Sequence, residues 1–111
     1  MQKIVQSDAE ALIILQSDHG TAFRGQFKKA PTEWSGADLH ERFGVLNAMR
    51  LPKQCRAAEA DDITLVDTFP LVFSCLTGSR FERHLPRFFV TPYDDTADFG
   101  RAVEYPPERV R

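Results

Sequence analysis

The run Ala11-Leu12-Ile13-Ile14-Leu15-Gln16, followed at once by Ser17-Asp18-His19-Gly20, constrains this chain more than any other segment. An uninterrupted stretch rich in Ile and Leu is the pattern of a strand covered on both faces, as in a parallel sheet, although so short a run also suits a buried helix segment. Read as a central strand, it ends in the polar turn that Gly20 permits. A carboxylate and an imidazole then stand together at the carboxyl edge of the strand, where open α/β sheets bind their ligands.

The remaining chain is read around that strand. Met1, Ile4 and Val5 at helical spacing give the end of a short helix that runs into it. Residues 21–41 hold Gly25, Pro31 and Gly36 with mixed charges and no clear period, and read as a long loop. Phe43 to Met49 is a second short apolar run stopped by Leu51-Pro52, which suits a strand beside the first, and Lys53 to Asp62 loops out. From Leu65 the apolar positions Leu65, Val66, Phe69, Val72, Phe73 and Leu76 recur at helical steps, so an amphipathic helix is expected, closed where Gly78 takes a left-handed cap. Pro70 belongs near its first turn, which makes Asp67 the preferred N-cap and Thr64 the alternative. Arg87 to Thr91 reads as a third strand closed by Pro92, and the charged tail from Asp94 as an extended arm.

The expected fold is therefore α/β: a partial three-layer sandwich of two or three mostly parallel strands with a covering helix, over residues 1–93, and a C-terminal arm over 94–111. The unpaired strand edge and uncovered sheet face of such a partial sandwich predict a homo-oligomer.

At 111 residues the chain is one domain's worth of sequence. Fourteen Lys and Arg against 16 Asp and Glu leave a net charge of −2, so no basic field is available for nucleic acid. No apolar run approaches the roughly 20 residues that cross a bilayer, and no signal-peptide pattern opens the chain, so membrane insertion by this chain is not expected. Cys55 and Cys75 lack zinc-site spacing. Cys75 lies in an apolar stretch and reads as a small core residue; a disulfide with Cys55 is open, and a nucleophilic role is disfavoured because an apolar helix face desolvates a thiolate.

The chemistry rests on Asp18 and His19. Neighbouring side chains of an ideal strand point to opposite faces, so the two meet one ion only if the chain bends directly after them. A hard oxygen and a neutral imidazole nitrogen suit a divalent cation such as Zn²⁺ or Mn²⁺. The blander alternative makes Asp18 a turn former and His19 a surface residue. His40, within Asp38-Leu39-His40-Glu41, is a candidate contact to substrate or metal against the alternative of a solvated loop histidine. His84 carries less information. Arg24 and Lys28-Lys29 are either an anion entrance or a solvated charged face.

In order and spacing, LIILQSDHG, ERFGVLNAMRLP, ITLVDTFPLVFSCLTG and LPRFFVTPYD resemble the C-terminal portion of sulfatase-like hydrolases of the alkaline phosphatase superfamily. The resemblance is to bacterial membrane-anchored members related to lipoteichoic acid synthase and phosphoethanolamine transferases, and it covers roughly residues 3 to 95. It implies that Asp18 and His19 are the family's metal-binding pair, with a divalent metal (Mn²⁺, Zn²⁺, Ca²⁺ or Mg²⁺) as cofactor, and that Asp67 and Pro70 mark a structural helix start. The family's hydroxyl or thiol nucleophile and its other acidic ligands lie well upstream of the DHG strand, where this chain has no candidate pattern. The resemblance thus implies a C-terminal fragment of a sulfuric- or phosphoric-ester hydrolase or transferase, inactive alone and with a missing N-terminal catalytic portion as its partner, whose full-length relatives often carry an extracytoplasmic catalytic domain. The alternative is a small non-catalytic α/β module for protein association or oligomerisation.

Overall fold

The computed structural model describes residues 2–58, 63–94 and 99–110. Among them the chain forms helices α1 (Gln2–Ser7), α2 (Gly36–Phe43) and α3 (Leu65–Thr77) and strands β1 (Ile13–Gln16), β2 (Asn47–Arg50), β3 (Phe88–Val90) and β4 (Val103–Tyr105), with short 3₁₀ turns between. The elements fall into two compact units: Met1–Gln16 with Asn47–Leu85, and Ser17–Leu46 with Pro86–Arg111.

In the first unit β1 pairs antiparallel with β2, Ile13 opposite Arg50 and Gln16 opposite Asn47. Leu12 and Ile14 share one face by the two-residue alternation of a strand, and with Met49, across from Ile14, they pack on Leu51, Cys55 and Val72. Leu15 points the other way and is exposed. α3 is tied to the strand ends through the Thr68 hydroxyl, which accepts hydrogen bonds from the Gln16 amide at 2.9 Å and the Asn47 amide at 3.2 Å. The Cys55–Cys75 disulfide joins the 3₁₀ turn Lys53–Ala58 to α3, with Cα atoms 5.6 Å apart. Gly78 ends α3 at φ 69°, the left-handed conformation open to a residue without Cβ. The cap at the other end is Thr64; Asp67 lies inside the first turn and Pro70 in the second.

In the second unit β3 pairs antiparallel with β4, Phe88 opposite Tyr105 and Val90 opposite Val103. Trp34, Leu39, Val90, Tyr105 and Val110 form its core, with Phe27, Phe43, Phe88 and Val103 against them. Phe43 and Phe88 meet edge to face at 5.0 Å. The Tyr105 hydroxyl donates to the Pro31 carbonyl at 2.5 Å, giving this buried phenol the partner it needs.

The mostly parallel three-layer sandwich is therefore corrected: the described strands make two separate antiparallel pairs. The apolar run of residues 11–16 suggested burial on both faces, yet its residues are half-buried or exposed and it has one strand neighbour. The expected loop of 21–41 contains most of α2, and the expected arm contains β4, whose Tyr105 is a core residue. α2 is short and buries a single apolar side chain, Leu39, so no period shows in the sequence. Val103-Glu104-Tyr105 turns one side inward and its charge outward, which a composition reading takes for a solvated tail.

Candidate functional site

Ser17, Asp18, His19 and Gly20 follow directly on β1. The Ser17 N–H donates to the Leu46 carbonyl and the Leu46 N–H to the Ser17 hydroxyl, each at 2.9 Å, so the chain stays clasped one step beyond the strand. Gly20 is buried beneath the last turn of α2, its N–H donating to the Arg42 carbonyl at 2.8 Å. A Cβ at this position would stand 2.0 Å from the Glu41 carbonyl oxygen and 2.7 Å from that of Arg42. The glycine of the DHG motif is required by this close approach.

Asp18 and His19 are both exposed. The His19 Nδ1 lies 2.7 Å from the Gly20 carbonyl oxygen, which can only accept, so Nδ1 carries a proton, and in the neutral ring Nε2 presents a lone pair. That Nε2 faces the Asp18 carboxylate at 3.6 Å. With the ring neutral, two electron-rich atoms face each other there, an arrangement that suits a cation between them. A metal-bound histidine holds its tautomer in the same manner, donating its other ring N–H to a carbonyl.

Donor chemistry suits a divalent cation; donor number does not. Among the described residues no group of three His, Cys, Asp or Glu side chains comes together. A catalytic site needs about three protein ligands with an open position, and this pair supplies two. His40 is not brought to the pair: it sits on α2 with its Nδ1–H directed to the Val110 carbonyl at 3.2 Å.

What surrounds the motif is set by two carboxylates of α2 that the sequence reading passed over. Asp38 is fully buried and accepts from Lys29 Nζ at 2.7 Å, the Ser35 hydroxyl at 2.7 Å, the Ser35 N–H at 2.8 Å and Arg24 Nε at 3.2 Å. The Lys29 ammonium, the Ser35 hydroxyl and N–H and the Arg24 guanidinium hold its carboxyl far below the usual range, against the opposing effect of burial. Arg24 and Lys29 are thus both ion-paired with the buried Asp38. Glu41 gathers the loop after the motif, accepting from the Thr21 hydroxyl at 2.7 Å and the N–H groups of Phe23 at 2.8 Å and Arg24 at 3.2 Å. The Thr21 hydroxyl, with these N–H groups, holds the Glu41 carboxyl below its ordinary value. Ser35-Gly36-Ala37-Asp38 is a capping box in sequence as in structure, so the start of α2 carried a readable signal.

A second buried carboxylate, Asp67, accepts from the His84 backbone N–H at 3.0 Å and from His84 Nδ1 at 2.5 Å. Burial pushes its carboxyl up, and the His84 ring and N–H more than offset this, leaving it below the ordinary value. Nothing in the spacing of residues 67 and 84 foretold the pairing. Cys75, weighed as a nucleophile, is in the disulfide and offers no thiolate.

No protein-family model, no curated protein and no solved structure matches this chain. No helix among the described residues is long and apolar enough to cross a membrane.

Proposed function

We propose that this chain contributes Asp18 and His19 as two donors to a divalent-cation centre that acts on sulfuric or phosphoric esters, with the remaining donors and the nucleophile supplied by polypeptide outside the described residues. The observation that carries the reading is the His19 ring, fixed by the Gly20 carbonyl with its Nε2 turned to the Asp18 carboxylate 3.6 Å away. The ester class comes from the resemblance of the four sequence segments to sulfatase-like hydrolases. One oxygen and one imidazole nitrogen favour Mn²⁺ or Zn²⁺ over Ca²⁺ and Mg²⁺, which prefer all-oxygen surroundings. When bound, such an ion stabilises charge on the ester oxygens. The residues of this chain act by placement: Gly20 lets the motif lie under α2, its carbonyl sets the His19 tautomer, and Glu41 shapes the loop that follows.

Calorimetric titration with Mn²⁺ and Zn²⁺ tests this. Two donors predict weak binding, with Kd on the order of 0.1–1 mM. Asp18→Ala and His19→Ala should each weaken it by at least about tenfold, or about 1.4 kcal/mol. Binding untouched by either substitution removes the pair from the reading. Turnover of aryl sulfates or phosphate esters by the chain alone, abolished by Asp18→Ala, would show that it holds a complete centre instead.

A further inference from the structure

α3 presents an outward face that is apolar from end to end. Val66, Phe69, Phe73 and Leu76 are 73%, 51%, 60% and 52% exposed, and Pro70 and Thr77 beside them are exposed as well. Asp67, the one charged residue of the helix, is buried, so this outward face carries no charge. The buried residues of α3 include Asp67, Thr68, Leu71, Val72 and Ser74, which means that most of the apolar stripe read from the sequence faces away from the unit it was expected to cover. An apolar helix face turned to solvent calls for a covering surface. The steps from 66 to 69, 73 and 76 are three, four and three, the seam spacing by which two helices interlock, and the series reads the same from either end. Phe69 and Phe73 already lie in tilted contact at 6.3 Å.

We infer that this face docks against α3 of a second copy of the chain, the two helices antiparallel about a two-fold axis, with Val66 of each copy opposite Leu76 of the other and Phe69 opposite Phe73. Three arguments select this occupant. Foreign helices are sorted by flanking charges, and this face has none to offer them. A spacing that is its own reverse lets each position face a counterpart in a second copy about a two-fold axis, and opposed macrodipoles favour the antiparallel sense. The exposed side chains amount to roughly 500 Å² per copy, so the pair buries at most roughly 1,000 Å², the edge of specific association and the mark of a weak, concentration-dependent dimer. The inference is independent of the cation reading, since Asp18 and His19 lie outside α3.

Equilibrium sedimentation of the full chain between about 10 and about 500 µM should show the mean mass climbing from one chain toward two. Phe73→Lys, at an exposed position, should hold the mass at one chain with an unchanged far-ultraviolet circular dichroism spectrum. Val66→Lys should do the same, and adding Leu76→Glu to it should restore the dimer, because in the antiparallel pair each new ammonium meets a carboxylate of the other copy; misfolding cannot produce that restoration. A wild-type chain that stays single throughout, a mass increase that survives Phe73→Lys, or a single chain that binds vesicles of neutral phosphatidylcholine would each overturn the inference, the last in favour of a lipid surface.

Discussion

Replacing Asp38 by Asn keeps the shape of the side chain and removes its charge at the centre of the unit formed by 17–46 and 86–111. One carboxylate oxygen serves Lys29 and both donors of Ser35, and the other serves Arg24. The amide is best placed with its oxygen on the first group, which turns its NH₂ toward the Arg24 guanidinium and sets donor against donor. Both cations are partly exposed and can return to water, so the loss is smaller than for a fully buried pair. Losing the Arg24 contact and the charge-assisted part of the Lys29 and Ser35 bonds should cost about 3 kcal/mol. At a urea slope of about 1.5 kcal/mol/M the midpoint should fall by about 2 M. Trp34, the one tryptophan and a core residue of this unit, reports the transition by its fluorescence. The pH dependence follows from the direction of the shift. The folded carboxyl titrates lower than the unfolded one, so its stabilisation is complete above the unfolded value of about 3.9 and is lost as pH falls from there through the folded value. The gap between wild type and Asp38→Asn should therefore be constant from neutrality to about pH 4.5 and narrow below about pH 4. A midpoint change under about 0.5 M, or a gap of constant size down to about pH 2, would refute the argument that this carboxylate organises the unit as an ion.

Gly20→Ala forces a methyl group against the carbonyls of Glu41 and Arg42, which are backbone atoms of a helix and can yield only with it. A cost of about 2–3 kcal/mol in the same Trp34 transition is expected, and a neutral result would mean that α2 does not rest on the motif. Replacing Cys55 and Cys75 together by Ser opens a closure spanning 20 positions, for which chain entropy predicts a loss of about 3 kcal/mol. Thermal melts with and without reductant measure it, and wild type should fall to the level of the double variant on reduction. Equal melts in both conditions would show that this closure does not hold Lys53–Ala58 to α3.

The parts of the fold that could be read from the sequence were those with local causes. α3 and its left-handed cap at Gly78 followed from helical spacing and from glycine's tolerance of positive φ. The apolar stretches read as strands at 11–16, 43–49 and 87–91 overlap β1, β2 and β3, but the second starts too early, since Phe43 closes α2 and β2 spans only Asn47–Arg50. In the candidate site, Asp18, His19 and Gly20 were legible as a group, though Gly20 serves through the carbonyls pressed on it rather than through an unusual backbone angle. The partners of the carboxylates Asp38, Glu41 and Asp67 were not readable, because they lie elsewhere along the chain: Asp38 takes Lys29 from 9 positions away and Asp67 takes His84 from 17.

The sequence by itself determined where this chain can be helical or extended and where it must turn, since dihedral preferences and capping bonds act within a few residues. Tertiary structure alone decided that β1 and β2 run antiparallel, that Tyr105 of the charged tail completes a core, and that most of the apolar stripe of α3 faces outward. Strand direction and burial depend on which distant surfaces meet, and the same alternation or helical stripe satisfies more than one such meeting. Only the folded chain chooses among them, by closing the contacts that leave the fewest buried polar groups without partners.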